Sequence, residues 1–175
     1  MKKIGILFIF LTILLSCQNQ QKIGYVDNGK LINKYQEKKD IEAKYNQKEQ
    51  AFQKKTDSIS KAFQLEAQEF QMQLSSMSQS KQQEQYQILG QKQKMLQQQI
   101  QFEQQQMQQA FQTEIDSVIS KVKDFVKTYG KNNGYTYILG TSDNVASVLY
   151  GDENNDLSQI MIDSLNLSYK KQKDK

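Results

Sequence analysis

Apolar residues recur at three- and four-residue steps along most of this chain, from about Asp27 to Tyr129. In the second half of that stretch they are Leu89, Leu96, Ile100, Met107, Phe111, Ile115, Val118, Val122, Phe125 and Tyr129. In the first half they are Ile41, Tyr45, Phe52, Ile59, Phe63, Ala67, Phe70, Leu74 and Met77. Such steps put one apolar stripe on one face of a helix. The stretch has no Pro, and Gly90 is its single Gly between Lys30 and Tyr129, so nothing in it breaks a helix outright. Two long helices are predicted. If they fold back on each other, facing residues have numbers with a constant sum. Met77 with Tyr86, Leu74 with Leu89, Ala67 with Leu96, Phe63 with Ile100, Phe52 with Phe111, Tyr45 with Val118 and Ile41 with Val122 all obey one such sum. The tip then falls at about 78–84, centred on Ser80, Lys81 and Gln82. Ser75, Ser76, Ser78 and Ser80 cluster there, and small polar side chains compete with the helical backbone for its hydrogen bonds. Each arm has roughly 45–50 residues, so the antiparallel hairpin reaches on the order of 70 Å.

The flanks change pattern. Ile23, Tyr25 and Val26 suit a short strand, with Asp27 placed to cap the helix that follows. Gly130 and Asn133-Gly134 suit a helix end. Tyr135 to Gly140 is rich in strand formers, and Thr141 to Asn144 is a turn cluster. Val145 to Tyr150 is predicted as another strand, closing a hairpin with the previous one. A last helix is predicted at about Leu157 to Leu167, capped by Asp156 or Ser158, with Ile160, Met161, Leu165 and Leu167 on its apolar side and a frayed tail from Lys170. The fold class is therefore α+β, mainly α: a small β-rich body (22–30 and 130–169) carrying a very long helical hairpin (27–129) in one domain, 22–175. A body of about 60–70 residues is marginal alone. Its short strands also leave open edges that invite other chains. Both arguments predict oligomerisation through the body, with Ile23, Tyr25, Tyr137, Leu139, Val148 and Tyr150 as candidate contacts. They do not set the number of subunits.

Residues 1–16 are predicted to be a removed signal peptide. Lys2 and Lys3 precede an apolar run, Ile4 to Leu15, of about a dozen residues, too short for a membrane span. Leu14-Leu15-Ser16-Cys17 resembles a bacterial lipobox, although Leu15 is bulkier than the usual residue there. Cys17 is the only cysteine, and it sits where cleavage would make it the new N-terminus. Lipidation of Cys17 would anchor the chain stably through more than one acyl chain, with 17–21 as a polar tether. The alternative is an ordinary secretory signal with an incidental Cys. No Asp follows Cys17, which favours an outer-membrane anchor facing the periplasm.

Composition narrows the chemistry. The formal charge is +4, and losing Lys2 and Lys3 brings it to about +2, too little to argue for nucleic acid; there is no Arg for phosphate or base forks. There is no His, and with Cys17 acylated no thiol or imidazole remains for catalysis. The carboxylates are scattered along helix surfaces, so no metal site or other cofactor is expected, and a non-enzyme is expected.

The ordered segments resemble the Skp/OmpH family of periplasmic chaperones. They are Ile23-Gly24-Tyr25-Val26-Asp27 ahead of a long helix, Tyr135-Thr136-Tyr137-Ile138-Leu139 after the second helix, and then Val148-Leu149-Tyr150-Gly151-Asp152, Asp156-Leu157-Ser158 and Leu165-Asn166. The resemblance implies a homotrimer shaped like a jellyfish, whose arms enclose a cavity that holds unfolded outer-membrane proteins without ATP. Soluble members of the family lack a lipobox. Their arm tips are often basic, whereas Lys81, Lys92 and Lys94 are here offset by Glu84.

A holder needs apolar groups that the hairpin seam leaves free. At 100° per residue, Leu65 and Met72 fall nearly opposite the seam of the first arm. Ile88, Met95 and Phe102 form a heptad row on the second arm, roughly 100–140° off its stripe. These five are the candidate client contacts, since Met and scattered aliphatics suit adaptable, low-specificity contact. They would otherwise pack against neighbouring arms or stand singly exposed. The rival expectation is a structural coiled-coil lipoprotein acting as a spacer in the envelope. A third, an efflux-type adaptor hairpin, would need lipoyl-like β segments at its flanks, and none is recognisable.

Overall fold

The structure is a computed structural model that describes residues 21–142 and 147–174. Cys17 and the signal segment lie outside them, as do Val145 and Ala146 of the expected third strand. The chain divides into two compact units, Met1–Leu31 with Lys123–Leu165, and Ile32–Val122 with Asn166–Lys175.

The first unit is built on two strands, β1 (Ile23–Asp27) and β2 (Tyr137–Thr141). They pair in parallel, Ile23 with Tyr137 through Asp27 with Thr141. Parallel neighbours cannot be joined by a tight turn, and here everything between residues 28 and 136 intervenes. The free edge of β1 is closed by chain entering the last helix. Leu157 N–H donates to the Tyr25 carbonyl at 2.9 Å, and Asp27 N–H donates to Ser158 Oγ at 2.8 Å. Gly24 is required at that approach, because a Cβ there would lie 2.5 Å from Leu157 Cδ1. Asp27 Oδ1 accepts from Lys30 N–H and caps α1 (Asn28–Lys34), as the sequence predicts. Val26, Leu31, Leu157, Met161, Ile162 and Leu165 form the buried core of this unit.

The long helix α3 (Gln79–Asn132) ends in this unit where Gly134 takes φ 70°. Tyr135 N–H returns to the Gly130 carbonyl at 2.9 Å and Gly134 N–H to the Lys131 carbonyl at 3.5 Å, the paired closure that a left-handed residue permits. The expected hairpin between β2 and a third strand does not form among the described residues. Ser147 to Tyr150 has no strand structure, and β2 pairs with β1 instead. Strand propensity reflects fit on a half-buried pleated surface. Leu149 and Tyr150, 92% and 88% exposed, have no such surface in a single chain.

The second unit is the hairpin. Its first arm is not one helix from Asp27, because Tyr35 is extended (ψ 124°) between α1 and α2 (Gln36–Gln73). The Asn166 side chain bridges that break. Its Oδ1 accepts from Gln36 N–H at 2.8 Å, and its Nδ2 donates to the Lys34 carbonyl at 3.3 Å. Tyr35 is thereby buried, its hydroxyl on Glu37 and its ring edge-on to Tyr169. The last helix, α4 (Ser158–Lys173), runs past the predicted fraying point. Tyr169 and Lys173 both donate to Asp40 Oδ2, at 3.0 and 2.6 Å, and hold its end. Its apolar side is also rotated from expectation. Met161, Ile162 and Leu165 are buried, while Ile160 and Leu167 are exposed.

The turn corrects the expected tip. A short 3-10 segment, Leu74–Ser76, leads through Met77 and Ser78 directly into α3. Ser80, Lys81 and Gln82 therefore lie in the first turn of α3. Gln82 holds the turn closed, its Nε2 donating to the Leu74 and Met77 carbonyls at 2.8 and 3.1 Å. The seam moves with the turn. Tyr45 meets Phe111, not Val118, with ring centroids 5.1 Å apart. Phe70 meets Tyr86, which Met77 was expected to face, at 4.9 Å. Both differences are one heptad, a slip that returns apolar residues to the seam and is invisible to periodicity.

Charge distinguishes the two registers. Among the described residues Lys44–Glu114, Lys55–Glu103, Lys92–Glu66 and Lys121–Glu37 cross between the arms. One heptad along, the same first-arm positions (Lys44, Lys55, Glu66 and Glu37) would meet Lys121, Ala110, Gln99 and Thr128. Exposed pairs contribute little singly. Four that vanish together, with one replaced by a Lys–Lys contact, bias the choice between otherwise equivalent seams.

Candidate functional site

The two halves of the hairpin's surface are chemically different. Among seam-flanking positions, the four cross-arm ion pairs lie on the side toward which Ile88, Met95 and Phe102 project, at 100° per residue, while Leu65 and Met72 point nearly opposite the seam. All five are at least 45% exposed, Met72 most at 74%. Ile88, Met95 and Phe102 lie on the ion-pair flank of the second arm, and Leu65 and Met72 on the outer back of the first arm. The result is a set of exposed apolar side chains on the tip-proximal half of the hairpin: one Leu, one Ile, two flexible Met and one ring. Glu103, beside Phe102, is held below the usual carboxylate range, first by its bond from Lys55 and then by Gln99. The Lys55–Glu103 and Lys92–Glu66 pairs cross between the arms on this side, so the apolar residues stand among fixed charges.

The opposite flank is glutamine-rich and carries two shallow grooves whose floors are seam side chains. One, of about 310 Å³, is floored by Ile59, Phe63, Leu96 and Ile100 and walled by Ser60, Gln64, Gln93 and Gln97. The other, of about 350 Å³, is lined by Tyr45, Met107 and Phe111 between Glu42, Asn46, Glu49 and Gln108. Sequence reasoning missed both, because it treated seam residues as consumed by the seam. A two-helix seam has no third layer, so its edges stay open. Tyr86 shows the same effect, 56% exposed although it packs edge-on against Phe70.

In the first unit, five of the six expected body residues come together. Ile23, Tyr25, Leu139, Val148 and Tyr150 line a depression of about 190 Å³ with Gly24, Gly151 and Asn155. Tyr137 does not line it and is 56% exposed on β2. Gly151 lets the chain cross the Tyr25 ring, since a Cβ there would lie 2.5 Å from Tyr25 Cε1. The Tyr25 hydroxyl titrates above its ordinary value, through burial first and then the carboxylates of Asp156, Glu153 and Asp152. Beyond β2 no described backbone pairs with its outer edge. Among the described residues no cluster of acids is placed to hold a metal ion, and no helix is long and apolar enough to cross a membrane.

A two-stranded parallel sheet and a long antiparallel helical hairpin define an α+β, mainly α, class of protein. The sequence matches the family model described as outer membrane protein (OmpH-like) over residues 22–165. The chain belongs to the OmpH-like family. Its fold is similar to that of an OmpH-like protein from Caulobacter crescentus CB15, described as a candidate outer membrane chaperone, with a TM-score of 0.75 at 13% identity over 85% of each chain. No curated protein matches the chain in sequence.

Proposed function

We propose that this protein is an ATP-independent holdase of the periplasm. It keeps unfolded outer-membrane proteins from aggregating by holding them against the helical arms of a homotrimer, around the cavity those arms border. Cys17 is lipidated and tethers the assembly to the outer membrane. The observation that carries this reading is the exposure of five large apolar residues that the seam leaves unused, Leu65, Met72, Ile88, Met95 and Phe102. Membership of the OmpH-like family supports it, as does the description of the Caulobacter relative. Many weak apolar contacts on flexible side chains give low specificity and ready release, which a holder without ATP needs. The body residues Ile23, Tyr25, Leu139, Val148 and Tyr150, with Tyr137 on the open edge of β2, form the contact between subunits.

The test is aggregation of a urea-unfolded β-barrel protein diluted into buffer with the mature chain. Suppression is expected at one trimer per client, with marked loss in L65S/M72S/M95S. No suppression by the parent overturns the holdase reading. Retention of the protein with the cell wall after detergent extraction would point instead to a structural spacer. Sedimentation equilibrium tests the trimer separately, and a stable monomer refutes it.

A further inference from the structure

The last turns of α3 in the first unit carry Lys123, Lys127 and Lys131, four residues apart and all exposed. None of the three has an ion-pair or hydrogen-bond partner among the described residues. They line one side of the helix over about 12 Å, opposite the half-buried Phe125 and Tyr129. Asp124 is the one acid on that side. Lys22 adds a fourth cation at the same helix end, its Nζ 3.0 Å from the Asn133 carbonyl and 4.2 Å from the centre of the Tyr135 ring. Three other acids of this unit, Asp152, Glu153 and Asp156, lie together on the loop beside Tyr25.

Chain length orients the cationic side. Lys22 lies five residues after Cys17, so an acyl group on Cys17 holds Lys22 within about 17 Å of the membrane at full extension. Lys22 is itself fixed to the end of α3. We propose that Lys22, Lys123, Lys127 and Lys131 form a docking surface for the anionic lipid headgroups of the bilayer that carries the anchor. The geometry rests on the lipidated-tether reading; the surface itself does not involve the client-binding flank. Ammonium groups suit this role, since they meet phosphates as mobile point charges and need no fixed fork. Within a Debye length of an anionic surface, each removed lysine lowers partitioning by roughly fivefold.

The test uses the mature chain with Cys17→Ala, so that no acyl group contributes, and sedimentation with phosphatidylglycerol-rich or pure phosphatidylcholine vesicles. Binding to the anionic vesicles alone, reversed by salt, is expected. K123Q/K127Q/K131Q should weaken it about a hundredfold, and the arm control K54Q/K61Q/K94Q should leave it within a few-fold. Equal binding to both vesicle types, no binding by the parent, or equal loss in the control overturns the proposal. In the lipidated parent reconstituted into the same anionic vesicles, Lys123, Lys127 and Lys131 should be protected from an amine-acylating reagent while Lys54 and Lys61 react; uniform reactivity would also overturn it. Aggregation suppression should survive the triple substitution, and mass analysis of Cys17 reports on lipidation independently, so failure here is separable from failure of the holdase or the anchor.

Discussion

Glu114 is the residue at which the register of the hairpin can be tested most sharply. Its Oε1 accepts from the Tyr45 hydroxyl at 2.9 Å, and its Oε2 pairs with Lys44. Tyr45 is 7% exposed with its ring against Phe111, so its hydroxyl has little access to water as a substitute. Losing a hydrogen bond to a charged acceptor costs about 1.5–3 kcal/mol, and partial hydration of the freed hydroxyl brings this to about 1–2 kcal/mol. The half-exposed Lys44 pair adds at most about 1 kcal/mol. Glu114→Ala should therefore destabilise the protein by about 2 kcal/mol. Tyr45→Phe keeps the ring contact and removes only the hydroxyl. In that background Glu114→Ala should cost about 1 kcal/mol less, a coupling that a double-mutant cycle reads directly. The assay is urea unfolding followed by helix circular dichroism at one fixed protein concentration, because an oligomer's stability depends on it. A cost for Glu114→Ala below about 0.5 kcal/mol, or strict additivity with Tyr45→Phe, would refute the register. The seam expected from periodicity alone puts Val118 against Tyr45 and predicts no coupling. The pH dependence has a definite sign. The Lys44 bond, followed by that of Tyr45, holds Glu114 below its usual value of 4.5. The stabilisation is fully present above that value and is lost as pH falls through the lower folded one, so the gap between parent and Glu114→Ala should narrow in acid.

Four further outcomes follow from the bases of the arms, the body and the second arm. Asn166→Ala removes the cap that α4 supplies to α2 and should cost about 1 kcal/mol in thermal unfolding, whereas Asn166→Asp keeps the acceptor for Gln36 and should cost less. Asp40 is pushed down to about 2, first by its bond from Lys173 and then by Gln36; its hold on the end of α4 should be constant above about pH 3.8 and fade as pH falls towards 2, read as faster hydrogen exchange of the Tyr169 to Lys173 amides, and Asp40→Asn should show the fast exchange at every pH. Gly24→Ala places a Cβ against Leu157 and should cost about 1–3 kcal/mol, while Gly90→Ala, with nothing within 4 Å of the new methyl, should gain roughly 0.5–1 kcal/mol of helix stability.

The five off-seam residues were legible because exposure on a two-helix ribbon follows from angle alone. The body was partly legible. Asp27 as a cap, Gly134 as a helix end and the strand content of Ile23 to Asp27 are local chemistry, and local chemistry is written in adjacent residues. The pairing of β1 with β2 across more than a hundred intervening residues is not local, and β-branched composition around Val148 misdirected it towards a hairpin. Ile162 rather than Ile160 enters the core because Ser158, bonded to Asp27 and Asp156, sets the rotation of α4 at its first turn. That bond joins residues 131 positions apart in the chain.

By itself the sequence determined that two long helices form, that they fold back on each other, and which side chains their seam leaves over. Periodicity carries those three facts, because it states which face of a helix is apolar. It could not choose among seams one heptad apart, because every such seam buries an equivalent stripe. Tertiary structure made that choice through contacts that periodicity does not encode: Gln82 closing the turn on Leu74 and Met77, and the lysine and glutamate partners across the arms. It also decided that Tyr35 breaks the first arm, where a side chain from the far end of the chain, Asn166, supplies the hydrogen bonds that the helix gives up.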